Sequence, residues 1–312
     1  MTVLIALFIV LFVLLAVGGY TFFHACGSWK KIDYSDETQL DPSTTPEYRA
    51  TVLTSIRWLN EQGAVDVWTN SEDGLKLHAQ WLPAENPRGT ILLVHGYHSS
   101  AWWDFGSVLK FYHDLGMNLL LPEQRCHGQS EGTYVTFGVK ESQDMLCWVR
   151  FHNEQLSECK VILSGLSMGA STVMYMADQD LPENVVGIIA DCGFTSPGDI
   201  IGKVFRDVTH LPPKPWIWFA EIYARLLAHF SLWEKDSRKT LAKNHLPILM
   251  AHGLADDFVP CEMSKEAFAA CAGDKELILA EGAGHGWSFL VERERYTAAV
   301  HRLLDKPLGG MK

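Results

Sequence analysis

Six short apolar runs constrain this chain more than anything else in it: TILLVHG (residues 90–96), MNLLLP (117–122), KVILSG (160–165), VVGIIAD (185–191), PILMAHG (247–253) and ELILAEG (276–282). Each ends in Gly, Pro or a polar residue. A run with no polar side must be buried on both faces, which is what parallel strands between layers of helices require. Helical stretches fill most of the gaps. Ahead of them, VDVWTN and LKLHAQWL flank Glu72-Asp73-Gly74 and predict an antiparallel hairpin. The pattern is that of an α/β protein with a mostly parallel central sheet. With 312 residues, 47% of them hydrophobic, the chain can bury a large core in one such domain.

One gap is too long for a crossover. Between Thr195 and Pro247 the chain reads LPPKPWIWFAEIYARLLAHFSLW in its middle, with Pro212, Pro213 and Pro215 as breakers before a helical, aromatic-rich run. We expect a helical cap over residues 196–245, inserted before the penultimate strand. Lys214, Glu221, Arg225 and His229 interrupt the run too closely for a membrane span. A cap over the carboxyl edge of the sheet would lie where open α/β sheets bind ligands.

The N-terminus is different in kind. Val3 to Phe23 contains no charged residue, and 21 residues rising about 1.5 Å each match a hydrocarbon layer of roughly 30 Å. Ala16-Val17-Gly18 has the small-x-small form of a signal-peptide cleavage site, but Met1-Thr2 lacks the basic start such peptides carry. We therefore expect residues 1–25 to be a retained anchor that gives the protein a membrane partner. Cys26 is not expected to be a lipoprotein cysteine, because Phe23-His24-Ala25 lacks the small aliphatic residues required before it. Residues 26–46 read as a linker, rich in Asp, Ser, Thr and Pro from Asp33 onward, that holds residues 47–312 off the membrane. A short helix is predicted near residues 47–62. Lys30 and Lys31 follow the span with nothing basic before it, which favours a cytoplasmic domain. Seven cysteines with no C-x-x-C pair point the same way and offer no zinc site. A net charge of −11 with no basic cluster excludes an ordinary nucleic-acid binder.

The chemistry enters with G-L-S-M-G at residues 165–169. KVILSG supplies a strand, Ser167 the turn and the residues from Met168 a helix, the setting of a nucleophile elbow. A serine hydroxyl needs a base and an orienting acid, and after such an elbow the acid precedes the histidine in chain order. AHGLADDFVP (251–260) offers Asp256 and Asp257, and EGAGHGW (281–287) offers His285, both at carboxyl ends of predicted strands.

In VHGYHSS, EQRCHGQSEG, GLSMGAS, DCGFTSP, HGLADDFVP and GAGHG the chain resembles the α/β-hydrolase superfamily, in particular bacterial membrane-anchored serine hydrolases described as esterases or serine aminopeptidase-like enzymes. The resemblance runs from about residue 65 to the C-terminus. It implies Asp256 as the acid of a Ser167–Asp256–His285 triad, and an oxyanion hole from the backbone N–H groups of Met168 and Tyr97. It implies no metal and no organic cofactor. Where the family reads D-x-R-G-H-G-x-S, this chain has Glu123-Gln124-Arg125-Cys126-His127-Gly128-Gln129-Ser130, a departure in a structural loop.

Other polar residues have plainer explanations. His95 and His127 precede the serine and suit structural hydrogen bonding, and His252 suits a satisfied strand-end imidazole. Asp191 and Asp257 are reserve acids; Ser164 and Ser171 project away from the elbow. The aromatics Trp216, Trp218, Phe219, Tyr223, Phe230 and Trp233, with Trp102, Trp103 and Phe105, suggest an apolar acyl site, about half of them serving only to attach the cap. Trp102, Trp216, Phe219 and Tyr223 are the expected lining. The function expected is hydrolysis of a small-molecule carboxylic ester of short or medium chain. Aminopeptidase, thioesterase or acyltransferase chemistry remains open, as does a non-catalytic membrane-tethered binder.

Overall fold

The computed structural model describes residues 1–28 and 46–309. Most of the expected linker, with Lys30 and Lys31, lies outside the described residues. All six apolar runs are strands, and the predicted hairpin precedes them. The elements are β1 (Val65–Asn70), β2 (Lys76–Leu82), β3 (Gly89–Val94), β4 (Met117–Pro122), β5 (Val161–Leu166), β6 (Val185–Asp191), β7 (Ile248–Gly253) and β8 (Lys275–Ala280). They form one sheet in the order β1-β2-β4-β3-β5-β6-β7-β8. β1 and β2 pair antiparallel, β2 meets β4 antiparallel, and every later pairing is parallel.

Because successive side chains point to opposite faces, each apolar run feeds two cores. Ile91, Leu93, Leu119, Leu121 and Ile162 pack on one side with α2 (Pro46–Glu61), α3 (Ala101–Asp104), α4 (Leu109–Asp114), α11 (Ser288–Val291) and α12 (Arg293–Leu308). Leu92, Val94, Leu120, Val161 and Leu163 pack on the other with α5 (Val139–Phe151), α6 (Met168–Met176), α9 (Ser237–Leu241) and α10 (Cys261–Ala270). The cap lies between β6 and β7 as expected. It contains α7 (Pro197–Thr209), α8 (Trp216–Tyr223) and a π-helical turn over Ala224–Ala228.

The N-terminal helix α1 (Thr2–Cys26) has two unlike halves. Val3 to Val13 is exposed on every side, whereas Gly18, Gly19, Thr21, Phe22 and Cys26 are buried. The second half packs against α8, and Phe22 and Cys26 share an apolar cluster with Ile217, Ala220 and Ala224 of the cap. The close approach depends on Gly18, where a Cβ would lie 2.4 Å from Phe219 Cβ. The chain is also pinned just beyond the helix. Cys26 O accepts from Val135 N–H at 2.8 Å, Ser28 N–H donates to Thr133 O at 3.3 Å, and Gly27 bridges Tyr134. Residues 26–28, expected to begin a linker, are thus bonded to the domain. The seven cysteines form no disulfide.

Candidate active site

Ser167 occupies the turn between β5 and α6 with φ 55° and ψ −118°. A non-glycine residue at positive φ is strained, and here tight packing holds it. Ser167 N–H donates to Asp191 O at 2.9 Å. The flanking glycines leave room for the crossing: a Cβ on Gly165 would stand 2.1 Å from Gly169 O, and one on Gly169 would stand 1.8 Å from Val94 O. Any side chain at either position would force strand and helix apart.

The fold brings the two distant partners to this turn. Ser167 Oγ lies 2.9 Å from His285 Nε2, and His285 Nδ1 lies 2.7 Å from Asp256 Oδ2. Asp256 is on the loop after β7 and His285 on the loop after β8, so both project from the same sheet edge as the serine. The carboxylate of Asp256 can only accept, so Nδ1 carries the proton and Nε2 is left to accept from the serine hydroxyl. Asp256 Oδ1 also accepts the N–H groups of Phe258 (3.0 Å) and Val259 (2.9 Å). Burial alone would push this carboxyl up. Hydrogen bonds from His252 and His285, the charge on His285 and the Val259 N–H outweigh burial and hold it well below the usual carboxylate range.

His252 has a role that the sequence did not reveal. Its Nε2 lies 3.1 Å from Asp256 Oδ2 and 2.9 Å from Val259 O, and its Nδ1 lies 2.6 Å from Ser264 Oγ. It is a satisfied imidazole, as expected, and one of the groups it satisfies is the acid. The spacing H-x-x-x-D was visible in the sequence as the only signal. A second residue that the sequence reading missed is Asp104, at the end of α3. Its Oδ2 accepts Gly96 N–H at 2.5 Å and its Oδ1 accepts Ser99 Oγ–H at 2.6 Å, clamping the loop that carries Tyr97. Burial pushes this carboxyl up to about 6 against the opposing pull of Ser99, Gly96 and His285. Nothing in the sequence marked it.

The remaining candidates are occupied elsewhere. His95 Nε2 accepts Gln124 N–H (3.0 Å) while its Nδ1 faces Gly96 O (2.7 Å), and burial pushes the imidazole down to about 4. His127 Nε2 accepts His98 N–H at 3.0 Å with Nδ1 toward Arg125 O, and burial holds this imidazole well below its ordinary range. Both are neutral loop fasteners. Asp191 accepts Ser288 Oγ–H at 2.7 Å and is not the partner of His285. Asp257 is exposed, its backbone oxygen accepting from Lys203. Ser171 Oγ donates to Phe194 O at 3.0 Å, and Ser164 is buried within β5. In the departing loop, Glu123 Oε2 lies 2.8 Å from His78 Nδ1, and Arg125 is ion-paired with Asp144 at 2.6 Å, both structural contacts.

A cavity of about 480 Å³ opens onto Ser167. Tyr97, Phe137, Phe194, Phe205 and Trp216 line it, joined by Val17, Tyr20, Thr21 and His24 of α1. Of the four expected lining residues, only Trp216 is there. Trp102 packs on Val52 and Ile56 of α2. Phe219 meets Gly18, and Tyr223 Oη donates to Leu15 O at 3.2 Å. The reason is α1: it occupies the cap face to which Phe219 and Tyr223 belong and takes their place in the wall. Trp218 and Trp233 are exposed, while Phe230 is buried within the cap and Phe105 in the core. Met168 opens α6 directly after the serine, and Tyr97 Oη donates to Ala25 O at 2.7 Å, tying the loop after β3 to α1.

The model of the alpha/beta hydrolase family matches residues 91–300. The uncharacterized protein YqkD of Bacillus subtilis (strain 168) is 28% identical over 227 residues, 72% of this chain and 73% of its own. The uncharacterized membrane protein YNL320W of Saccharomyces cerevisiae (strain ATCC 204508 / S288c) is 23% identical over 210 residues, 67% of this chain and 68% of its own. Among solved structures, the Pyrococcus furiosus esterase Pf2001 is similar with a TM-score of 0.64 at 22% identity, covering 86% of this chain and 96% of the esterase. At that identity the likeness is one of fold.

Proposed function

Since the chain belongs to the alpha/beta hydrolase family, we propose that it is a serine esterase acting through an acyl-enzyme on Ser167. The observation that carries this reading is the continuous relay from Ser167 Oγ to His285 Nε2 at 2.9 Å and from His285 Nδ1 to Asp256 Oδ2 at 2.7 Å. Ser167 Oγ attacks the ester carbonyl while His285 takes its proton, and Asp256 orients the imidazole and stabilises its cation. The carbonyl oxygen becomes an oxyanion held by the backbone N–H groups of Met168 and Tyr97, each donor contributing about 3 kcal/mol in the transition state. The C–O bond then breaks, and His285 gives its proton to the departing alcohol. Water, deprotonated by the same imidazole, releases the acid.

We read α1 as a retained membrane segment. Cleavage after Gly18 would remove Val17 from the cavity wall and Leu15 from its bond with Tyr223. The name of the yeast relative agrees with this reading. The test of the esterase is labelling by a fluorophosphonate together with turnover of p-nitrophenyl butyrate, both expected to vanish in Ser167→Ala. Turnover by Ser167→Ala at the wild-type rate would refute the assignment.

A further inference from the structure

Resting on the esterase reading, we propose that the substrate is a membrane-resident amphiphile with one apolar chain, which reaches Ser167 directly from the bilayer along α1. Three observations point there. The first is the division of α1. Val17, Tyr20, Thr21 and His24 follow the i, i+3, i+4, i+7 spacing of a single helix face, and that face is a wall of the cavity containing Ser167. The same helix continues as the exposed apolar stretch Val3–Val13.

The second is length. The charge-free run Val3–Phe23 has the roughly 30 Å needed to fill a hydrocarbon layer, whereas its exposed part, Val3–Val13, rises only about 16 Å. Placing the whole run in the layer therefore carries the packed half, and the cap attached to it, down to the lipid. A domain held off the surface by a linker is incompatible with that packing.

The third is the cap surface. Trp218, Ile222 and Leu226, spaced by four, expose an apolar stripe on α8 and the turn after it, beside the face that grips α1. Tyr20, Val208 and Leu211 both line the cavity and are exposed, at 70%, 75% and 48%, so the mouth itself has an apolar rim. Exposed apolar side chains clustered at a cavity mouth mark a lipid or partner contact. Here the adjoining helix selects lipid. Lys214, 5.5 Å from the Trp218 ring, supplies the cation and aromatic pair favoured at a membrane surface. The acyl chain so delivered lies in the apolar cavity with its ester at Ser167, which revises the expected preference from short chains to long ones.

The experiment uses the full chain in phosphatidylcholine nanodiscs and vesicles, with p-nitrophenyl esters of 4 to 16 carbons as probes. We expect kcat/KM to rise at least tenfold from butyrate to palmitate. At fixed bulk palmitate ester, the rate should fall with its surface mole fraction as phosphatidylcholine is added. Thr21→Trp, which fills the cavity from α1, should lower palmitate turnover at least tenfold and move the optimum to shorter chains. Should that variant lose fluorophosphonate labelling, Val204→Trp in the part of the wall made by α7 is read in its place. A flat or butyrate-peaked profile, a rate following bulk concentration, or an optimum unmoved by the labelled variant overturns the proposal. Wild-type protein that labels but shows a flat profile leaves the esterase reading standing. Wild-type protein that does not label defeats both.

Discussion

His252, at the end of β7, and Asp256, four residues on in the turn that follows, meet at 3.1 Å through Nε2 and Oδ2. The contact orients the carboxylate that faces His285, so on the proposed mechanism His252 is a positioning residue one step removed from the reacting atoms. It is also one of the forces that depress the Asp256 carboxyl. Removing it in His252→Ala raises that carboxyl toward its ordinary value. A more basic carboxylate stabilises the imidazolium of the relay more strongly, so the acid limb of kcat/KM should move to higher pH, with a loss of about tenfold at neutral pH. A pH–rate profile on p-nitrophenyl ester checks this, because a change confined to folding would lower the plateau without moving the limb.

Asp256→Asn tests the next link. An amide can donate where the carboxylate only accepts, which favours the wrong imidazole tautomer and turns a proton toward Ser167. By the behaviour of such triads, kcat should fall about 10³- to 10⁴-fold. The acid side chain is fully buried and bonded to two backbone N–H groups. Circular dichroism should therefore show a folded protein, and steady-state kinetics should show the loss in kcat rather than KM.

Asp104 makes a prediction about stability against pH. Its carboxyl titrates near 6 in the fold because burial disfavours the charge, against about 3.9 in an unfolded chain. A raised carboxyl contributes stability that is fully present below the unfolded value and is lost as pH rises through the folded one. Between pH 4 and 7 the wild type should thus lose up to about 3 kcal/mol relative to Asp104→Asn, which carries no such charge. Thermal melts of both proteins across that range measure the difference. Asp104→Ala, which frees Gly96 N–H and Ser99 Oγ from their acceptor, should also slow kcat about tenfold by loosening the loop of Tyr97.

These residues show why part of the site was legible in the sequence and part was not. The strands were legible because runs such as TILLVHG have no polar face to give to water. Ser167 and His285 were legible because each follows a strand in a glycine-bearing turn; the same position left Asp256 and Asp257 both open, and the family resemblance pointed to Asp256. Asp104 and His252 were not, since they act through hydrogen bonds made by folding: nothing marked Asp104, and the H-x-x-x-D spacing alone does not say that His252 reaches Asp256. The cavity wall failed for another reason. Phe219, Tyr223 and Trp216 look alike in an aromatic-rich stretch, and which of them faces the cavity depends on where α1 lies. An apolar helix of that length reads as membrane alone, whereas its second half is a cavity wall.

The packing of that half against the cap can be tested at two neighbouring glycines that should respond differently. A Cβ on Gly18 would lie 2.4 Å from Phe219 Cβ, 2.7 Å from Phe219 backbone carbon and 2.9 Å from Ala220 N. None of these atoms can step aside without moving α8. The atoms nearest to a Cβ on Gly19 would be Tyr223 Cζ at 3.0 Å, Oη at 3.2 Å and Cε2 at 3.3 Å, the far end of one side chain, which can shift by a few tenths of an ångström. Helix propensity favours alanine over glycine by about 1 kcal/mol at either position. At Gly19 that gain should roughly offset the small displacement. At Gly18 the overpacking cost of about 1–3 kcal/mol should win. Thermal melts in detergent micelles should therefore leave Gly19→Ala near the wild type and lower Gly18→Ala, and Gly18→Val further. Limited proteolysis should cut Gly18→Val in the cap sooner than the wild type, as α1 lifts from α8. Equal behaviour of the two alanine variants would mean that the helix is not held against the cap as described.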